Sequence, residues 1–185
     1  MIVGISGSFS SGKDTLAKHL TETYGFMGVN TGDIVREIAQ VERGSIERPV
    51  LYEVADELRR KYGGGVLVER ALDRYRNSIR NYPGCSIIGL RSLGEAKAIK
   101  EQGGTLVFVD APIEVRYQRM VERARDGEKQ ISLEEFRQRE EAELSTGMTD
   151  ADFNLLEIEK IADVKLINDT TADVFLKQAD SVLFS

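Results

Sequence analysis

Residues Gly7-Ser8-Phe9-Ser10-Ser11-Gly12-Lys13 carry the spacing G-x-x-x-x-G-K, followed by Asp14 and Thr15. Glycines at both ends let backbone N–H groups turn inward and converge on phosphate oxygens, and a lysine closes the ring with a full positive charge. An apolar stretch, Ile2–Ile5, comes just before, and a helical pattern starting at Lys13 comes just after. The helix N-terminus then adds its positive dipole to the same point. A glycine-rich turn with a chance lysine is the alternative, and it leaves the flanking strand and helix unexplained. The usual hydroxyl residue after the lysine is replaced by Asp14. A carboxylate beside triphosphate repels it unless Mg2+ lies between them or the side chain turns away. The next hydroxyl in the chain is Thr15.

Further cations stand at spacings that suit an anionic ligand. In Asn30-Thr31-Gly32-Asp33-Ile34-Val35-Arg36 the arginine follows Asp33 by about one helical turn, so both can border one cleft. An ordinary helix cap with a surface arginine fits that segment equally well. In Ile88-Gly89-Leu90-Arg91-Ser92 an arginine sits just past a strand, where open α/β sheets bind ligands. Arg116, Arg119 and Arg123 are spaced to share one helix face. Arg116 is expected on a solvated surface.

The elements that must position these residues alternate along the whole chain. Strands are expected at 2–5, 26–29, 86–90, 105–109 and 162–167. Helices are expected at 13–23, 33–42, from Pro49 to Tyr62, after Gly63-Gly64-Gly65 to about Arg80, and at 93–102. More follow at 112–124, after the Ser132–Glu135 capping box, and at 172–183. Strands separated by helices pair in parallel with right-handed crossovers. The expected product is one three-layer α/β domain over 1–185, with about five parallel strands and helices on both faces. It carries a helical insert over about 31–80 and a polar, glycine-containing segment from Arg125 onward.

Composition narrows the function classes. The 185 residues include 31 acidic and 25 basic side chains, a net charge of −6, and the pI is near 5.0. That balance argues against a general nucleic-acid binder but allows a local basic pocket. No run approaches the ~18 apolar residues of a membrane span. Cys85 is the sole cysteine, so no intrachain disulfide forms. We read a cytoplasmic protein, a monomer or weak dimer, whose partner is a small molecule.

The motifs together resemble the nucleoside monophosphate kinases and their dephospho-CoA-kinase-like relatives, over nearly the whole chain. The phosphate loop with GK-x-T matches the P-loop of such small-molecule kinases. The segment Thr31-Gly32-Asp33-x-x-Arg36 resembles their T-G-D-x-h-R, which implies that Thr31, Gly32 and Arg36 face the acceptor nucleotide. Asp33 then lies near the phosphate and Mg2+. The segment around Gly89 and Arg91 resembles D-G-x-[P]-R, which implies that Arg91 binds the acceptor phosphate. Ile88 stands where that family has its aspartate. Arg119 and Arg123 resemble the start of a kinase lid, where such arginines stack on the ATP adenine and neutralise the transferring phosphate. The run from Arg125 to Arg139 resembles the short helical lid of dephospho-CoA kinases. The ending at Asn168-Asp169 resembles the strand before their adenine-contacting loop. Residues 49–76, with Glu57-Leu58-Arg59, are similar to archaeal adenylate-kinase-related proteins.

The expectation is an ATP-dependent P-loop kinase of nucleotide-like acceptors, with a nucleoside monophosphate such as AMP ranked above dephospho-CoA. A non-catalytic nucleotide-binding module is the rival of another class. Gly7, Ser8, Phe9, Ser10, Ser11, Gly12, Lys13, Asp14 and Thr15 would hold Mg-ATP with Arg119 and Asn168, the last through backbone atoms. Thr15 would touch the metal. Lys13, Asp33, Arg91 and Arg123 would serve the transfer, Asp33 as base if the acceptor is a hydroxyl. A lid would span about 125–145. His19 is expected as a surface or packing residue, Cys85 as a small buried one, and Glu134, Glu135 and Glu140–Glu143 as a solvated helix face.

Overall fold

The computed structural model describes residues 1–123, 131–144, 147 and 149–184. Five strands form one parallel sheet in the order β2-β3-β1-β4-β5. They are β1 (Ile2–Gly7), β2 (Met27–Asn30), β3 (Cys85–Ile88), β4 (Thr105–Asp110) and β5 (Val164–Ile167). The register sets Ile5 beside Ile88 on one side and beside Val107 on the other. The strand order reverses between β1 and its neighbours, so the loops after β1, β3 and β4 meet at the carboxyl edge.

Alternation within the strands builds two cores. Val3, Ile5, Val107 and Val109 pack with Leu16, Leu20, Phe175 and Leu183, from α1 (Lys13–Tyr24) and α9 (Ala172–Leu183). Ile87, Leu106 and Phe108 turn the other way. They meet α2 (Thr31–Arg43), α3 (Arg48–Tyr62), α4 (Val66–Arg76), α5 (Leu93–Glu101) and α8 (Leu155–Ile161). Gly4 keeps α5 close to the sheet, since a Cβ there would lie 2.6 Å from Ile99. Helices α6 (Ile113–Glu122) and α7 (Leu133–Leu144) stand beside the loop after β1. The capping box at Ser132 forms as expected, with Glu135 N donating to Ser132 Oγ and Ser132 N donating to Glu135.

Three sequence expectations change. Helix α8 is additional: it is seven residues long, too short for a periodic signal, and is started by Asn154 accepting from Glu157 N. The helix after Gly65 ends at Arg76 and not near Arg80, capped by backbone bonds at Asn77. Arg116 is not solvated. It is buried, with Nε donating to the Ala111 carbonyl at 2.7 Å, and it forms an ion pair with Glu140. Glu140, expected on a solvated face, is its partner in that corner, so α7 is tied to α6 by a charge pair. The Arg125–Gln130 part of the expected lid lies outside the described residues.

Candidate functional site

The loop between β1 and α1 is a backbone cradle. Gly7 has φ +144°, Ser10 +57° and Gly12 +103°. A Cβ at Gly7 would lie 2.0 Å from the Val109 carbonyl, and one at Gly12 would lie 2.2 Å from Asn168 Nδ2. Both glycines are therefore required by left-handed backbone and by close approach. Lys13 Nζ donates to the Ser8 carbonyl at 2.9 Å, which folds the lysine back over the loop. Burial, helped by the Arg91 and Arg123 charges and opposed by Asp14, pushes the Lys13 amine down to about 8. The buried hydroxyls Ser10 Oγ and Ser11 Oγ have no hydrogen-bond partner among the described residues. An oxyanion in the loop would meet unspent hydroxyls and a lysine whose buried charge lacks a full counterion, so these residues fit a phosphate group.

The loop is braced from behind by the C-terminal edge of β4 and β5. Asn168 Nδ2 donates to the Ser11 carbonyl at 2.9 Å, and Arg119 Nη2 donates to Asn168 Oδ1 at 3.2 Å. Asn168 thus acts on the loop through its side chain. Arg116 Nη1 reaches the Phe9 carbonyl at 3.4 Å. Arg123 lies over the Phe9 ring at 5.3 Å, and Phe9 packs against Phe136 of α7. The three arginines of α6 do share a face, and that face is turned to the phosphate loop.

A cleft of about 570 Å³ opens beside the loop. Six cations line it: Lys13, Arg36, Arg48, Arg59, Arg91 and Arg123; Asp14 is the one lining carboxylate among the described residues. Strongly basic lining in a chain of net charge −6 focuses an anionic ligand into this cavity. Thr31 and Gly32 also line it. Thr31 Oγ1 donates to the Gly89 carbonyl at 2.9 Å, and Gly32 N donates to Asn30 Oδ1, so the start of α2 is pinned to the end of β3. Arg36 is ion-paired with Asp33, and Asp33 itself is exposed and outside the lining. Thr15 is likewise exposed and outside the lining, whereas its neighbour Asp14 is inside. Among the described residues no three His, Cys, Asp or Glu stand together in a metal-ligand group.

Four charged or aromatic lining residues were not assigned roles from sequence. Arg48 and Tyr52 stand one turn apart on α3, with Arg48 Nη2 donating to the Tyr52 hydroxyl at 2.9 Å. Phe153 packs at 5.5 Å from Tyr52, with the guanidinium groups of Arg59 and Arg91 over its ring. Arg59 is the fourth. Its Nε and Nη2 donate to Glu95 Oε1 at 3.0 and 2.9 Å, both residues being buried. Glu95 Oε2 accepts from Arg91 N at 2.7 Å and from Ser92 N at 3.2 Å. The sequence does hold a signal for Arg59. It falls one turn after Ala55 on the apolar stripe of α3, where a charge must be paired.

No family model matches the chain. It is 32% identical over 98% of its length to a UPF0200 protein of Saccharolobus solfataricus, covering 91% of that protein. A UPF0200 protein of Sulfurisphaera tokodaii is 29% identical, with 98% and 95% covered. Among solved structures, TT1252 from Thermus thermophilus superposes with TM-score 0.59 at 24% identity, covering 100% of this chain and 98% of that one. Shikimate kinase from Aquifex aeolicus gives TM-score 0.53 at 21% identity, with 99% and 96% covered. These likenesses, with the parallel sheet and helices on both faces, identify a three-layer α/β P-loop NTPase fold.

Proposed function

The chain belongs to the UPF0200 family, and from the chemistry of its cleft we propose that it is an ATP-dependent kinase acting on a nucleoside monophosphate such as AMP. The observation that carries this reading is the continuity of one cationic cavity, from Lys13 in the phosphate loop to Arg36 and Arg91 at the ends of β2 and β3. Phosphoryl transfer needs positioning and charge neutralisation more than covalent chemistry, and that is what this lining supplies. That several superposable structures are kinases, shikimate kinase among them, supports the same class.

In this reading the loop N–H groups, Ser10, Ser11 and Lys13 hold the β- and γ-phosphates. Arg123 and Arg119 approach from α6. Mg2+, when bound with the nucleotide, would shield the transferring phosphate from Asp14, the carboxylate that lines the cleft. Thr15 stands outside the lining, so we assign the metal-facing role to Asp14 in its place. Arg36 and Arg91 grip the acceptor phosphate, a dianion that accepts paired charge-assisted bonds from guanidinium groups. A phosphate oxygen is already nucleophilic and needs no base. Dephospho-CoA ranks second because a hydroxyl acceptor needs one, and Asp33, the candidate, is held by Arg36 outside the cavity lining.

Isothermal calorimetry with ATP and AMP tests the division of labour. Arg36→Ala should weaken AMP at least tenfold, the loss of about 1.4 kcal/mol or more expected for a charged hydrogen bond, while ATP affinity stays within twofold. Equal losses for both ligands would refute the two-pole assignment, and binding of dephospho-CoA with no monophosphate binding would reverse the ranking.

A further inference from the structure

The buried Arg59–Glu95 pair at the floor of the cleft is not used by the phosphate chemistry above. Glu95 is spent fully: one carboxylate oxygen takes both Arg59 bonds, and the other caps α5 and holds the Arg91 amide. Arg59 is not spent. Of its three guanidinium nitrogens, Nε and Nη2 are bonded to Glu95, while Nη1 bonds to no described residue. Arg59 lines the cavity although it is 97% inaccessible to bulk water, with 3% of its side chain exposed. With Nε and Nη2 taken by Glu95, Nη1 is the donor that a residue lining this cavity has left to offer.

The charge of this guanidinium is compensated by Glu95 at contact distance. What remains is a fixed, donor-only group with little net charge, over the Phe153 ring at 5.0 Å, which in turn packs on Tyr52. Such a group does little to capture a second phosphate, which the unburied arginines do better. It suits a neutral hydrogen-bond acceptor on a flat ring. Because a guanidinium cannot accept, an amino group in that position would leave two donors facing each other in a desolvated pocket, which is strongly disfavoured.

We propose that Arg59 reads the base of the acceptor nucleotide and selects an oxo group over an amino group, with Glu95 as the positioning residue that fixes its orientation. This rests on the monophosphate-kinase reading and refines its acceptor from "such as AMP" to a nucleotide whose base presents a carbonyl edge. The carbonyl could come from a 6-oxopurine or from uracil, and the two are separated by the ligands used.

The test is calorimetry with IMP and AMP, which differ in the 6-oxo/N1–H against the 6-amino/N1 edge, together with UMP and CMP. Wild type should bind IMP at least tenfold more tightly than AMP, or UMP at least tenfold more tightly than CMP, and the pair that shows the preference identifies the ring. Arg59→Gln can still donate to Glu95 and so keeps the carboxylate paired. It should reduce that ratio to within threefold while ATP affinity is unchanged. Arg59→Lys, a second variant that retains the charge against Glu95, should lose the preference in the same way. Monophosphate binding with no oxo preference, or a preference that survives both variants, overturns the role of Arg59 and leaves the kinase reading standing. Absence of binding by all four nucleotides overturns both.

Discussion

Lys13 is the residue whose perturbation reports most directly on the phosphate loop. Burial has lowered its amine from 10.5 to about 8. Phosphate bound in the loop would place negative charge beside it and restore the proton. Free protein is then about 10% deprotonated at Lys13 at pH 7, about 50% at pH 8 and about 90% at pH 9. Nucleotide binding should take up about the same fraction of a proton at each pH, provided the complex holds the amine fully charged. At pH 8 and above the nucleotide phosphates are already ionised and contribute no proton of their own. The affinity should fall about 50-fold, or about 2 kcal/mol, between pH 8 and pH 10. The sign for stability of the unligated protein is the opposite of an ion pair. A folded-state amine lowered below its unfolded value makes the unfolded chain bind more protons between about pH 8 and 10.5, so stability rises across that window. Lys13→Met should accordingly stabilise the unligated protein at pH 7, by at most ~3 kcal/mol, the equivalent of the lowered value. The assay is calorimetry of ATP binding at pH 8.5 in buffers of different ionisation enthalpy. Uptake near zero in wild type, or uptake unchanged in Lys13→Met, would refute the reasoning.

Other perturbations follow from the packing. Gly12→Ala forces a Cβ to 2.2 Å from Asn168 Nδ2 at φ +103°; it should cost about 1–3 kcal/mol in urea melts and abolish ATP binding while AMP binding persists. Glu140→Gln removes one of two carboxylates beside buried Arg116 and leaves Asp110 at 3.6 Å, so the denaturation midpoint should drop by the equivalent of about 1–3 kcal/mol. Asn168→Ala removes the shorter of the two bonds to the Ser11 carbonyl and the anchor of Arg119 Nη2, and should raise the Kd for ATP about tenfold with little effect on AMP. A Kd for ATP that does not move would show that the brace is dispensable.

Much of the fold was legible because its signals are local. Alternating apolar strands, the Ser132 capping box and the helix over Ala172–Leu183 need only short stretches of chain, and the structure has them within a residue or two at most boundaries. The phosphate loop was legible for the same reason, since its glycines and lysine are contiguous. What sequence did not reveal lies in long-range pairing. Arg59 and Glu95 are 36 residues apart and look like two ordinary helix charges until α3 and α5 meet. Arg116 and Glu140 likewise gain meaning only where α6 packs on α7. Phe153 sits in an aperiodic stretch before a helix too short to announce itself, yet it carries two arginines of the cleft. Asp33 and Thr15 went the other way. Asp33 was expected from its spacing to Arg36 and Thr15 from its match to GK-x-T; both are exposed and not among the residues lining the cleft.

Transfer itself is the claim on which the account rests. ATP labelled in the γ-phosphate, incubated with Mg2+ and each nucleoside monophosphate in turn, should pass its label to a nucleoside diphosphate. That product should vanish in Lys13→Met and fall at least a hundredfold in Arg91→Ala. Label found only in inorganic phosphate, or only in remaining ATP while both nucleotides bind, would contradict the kinase assignment.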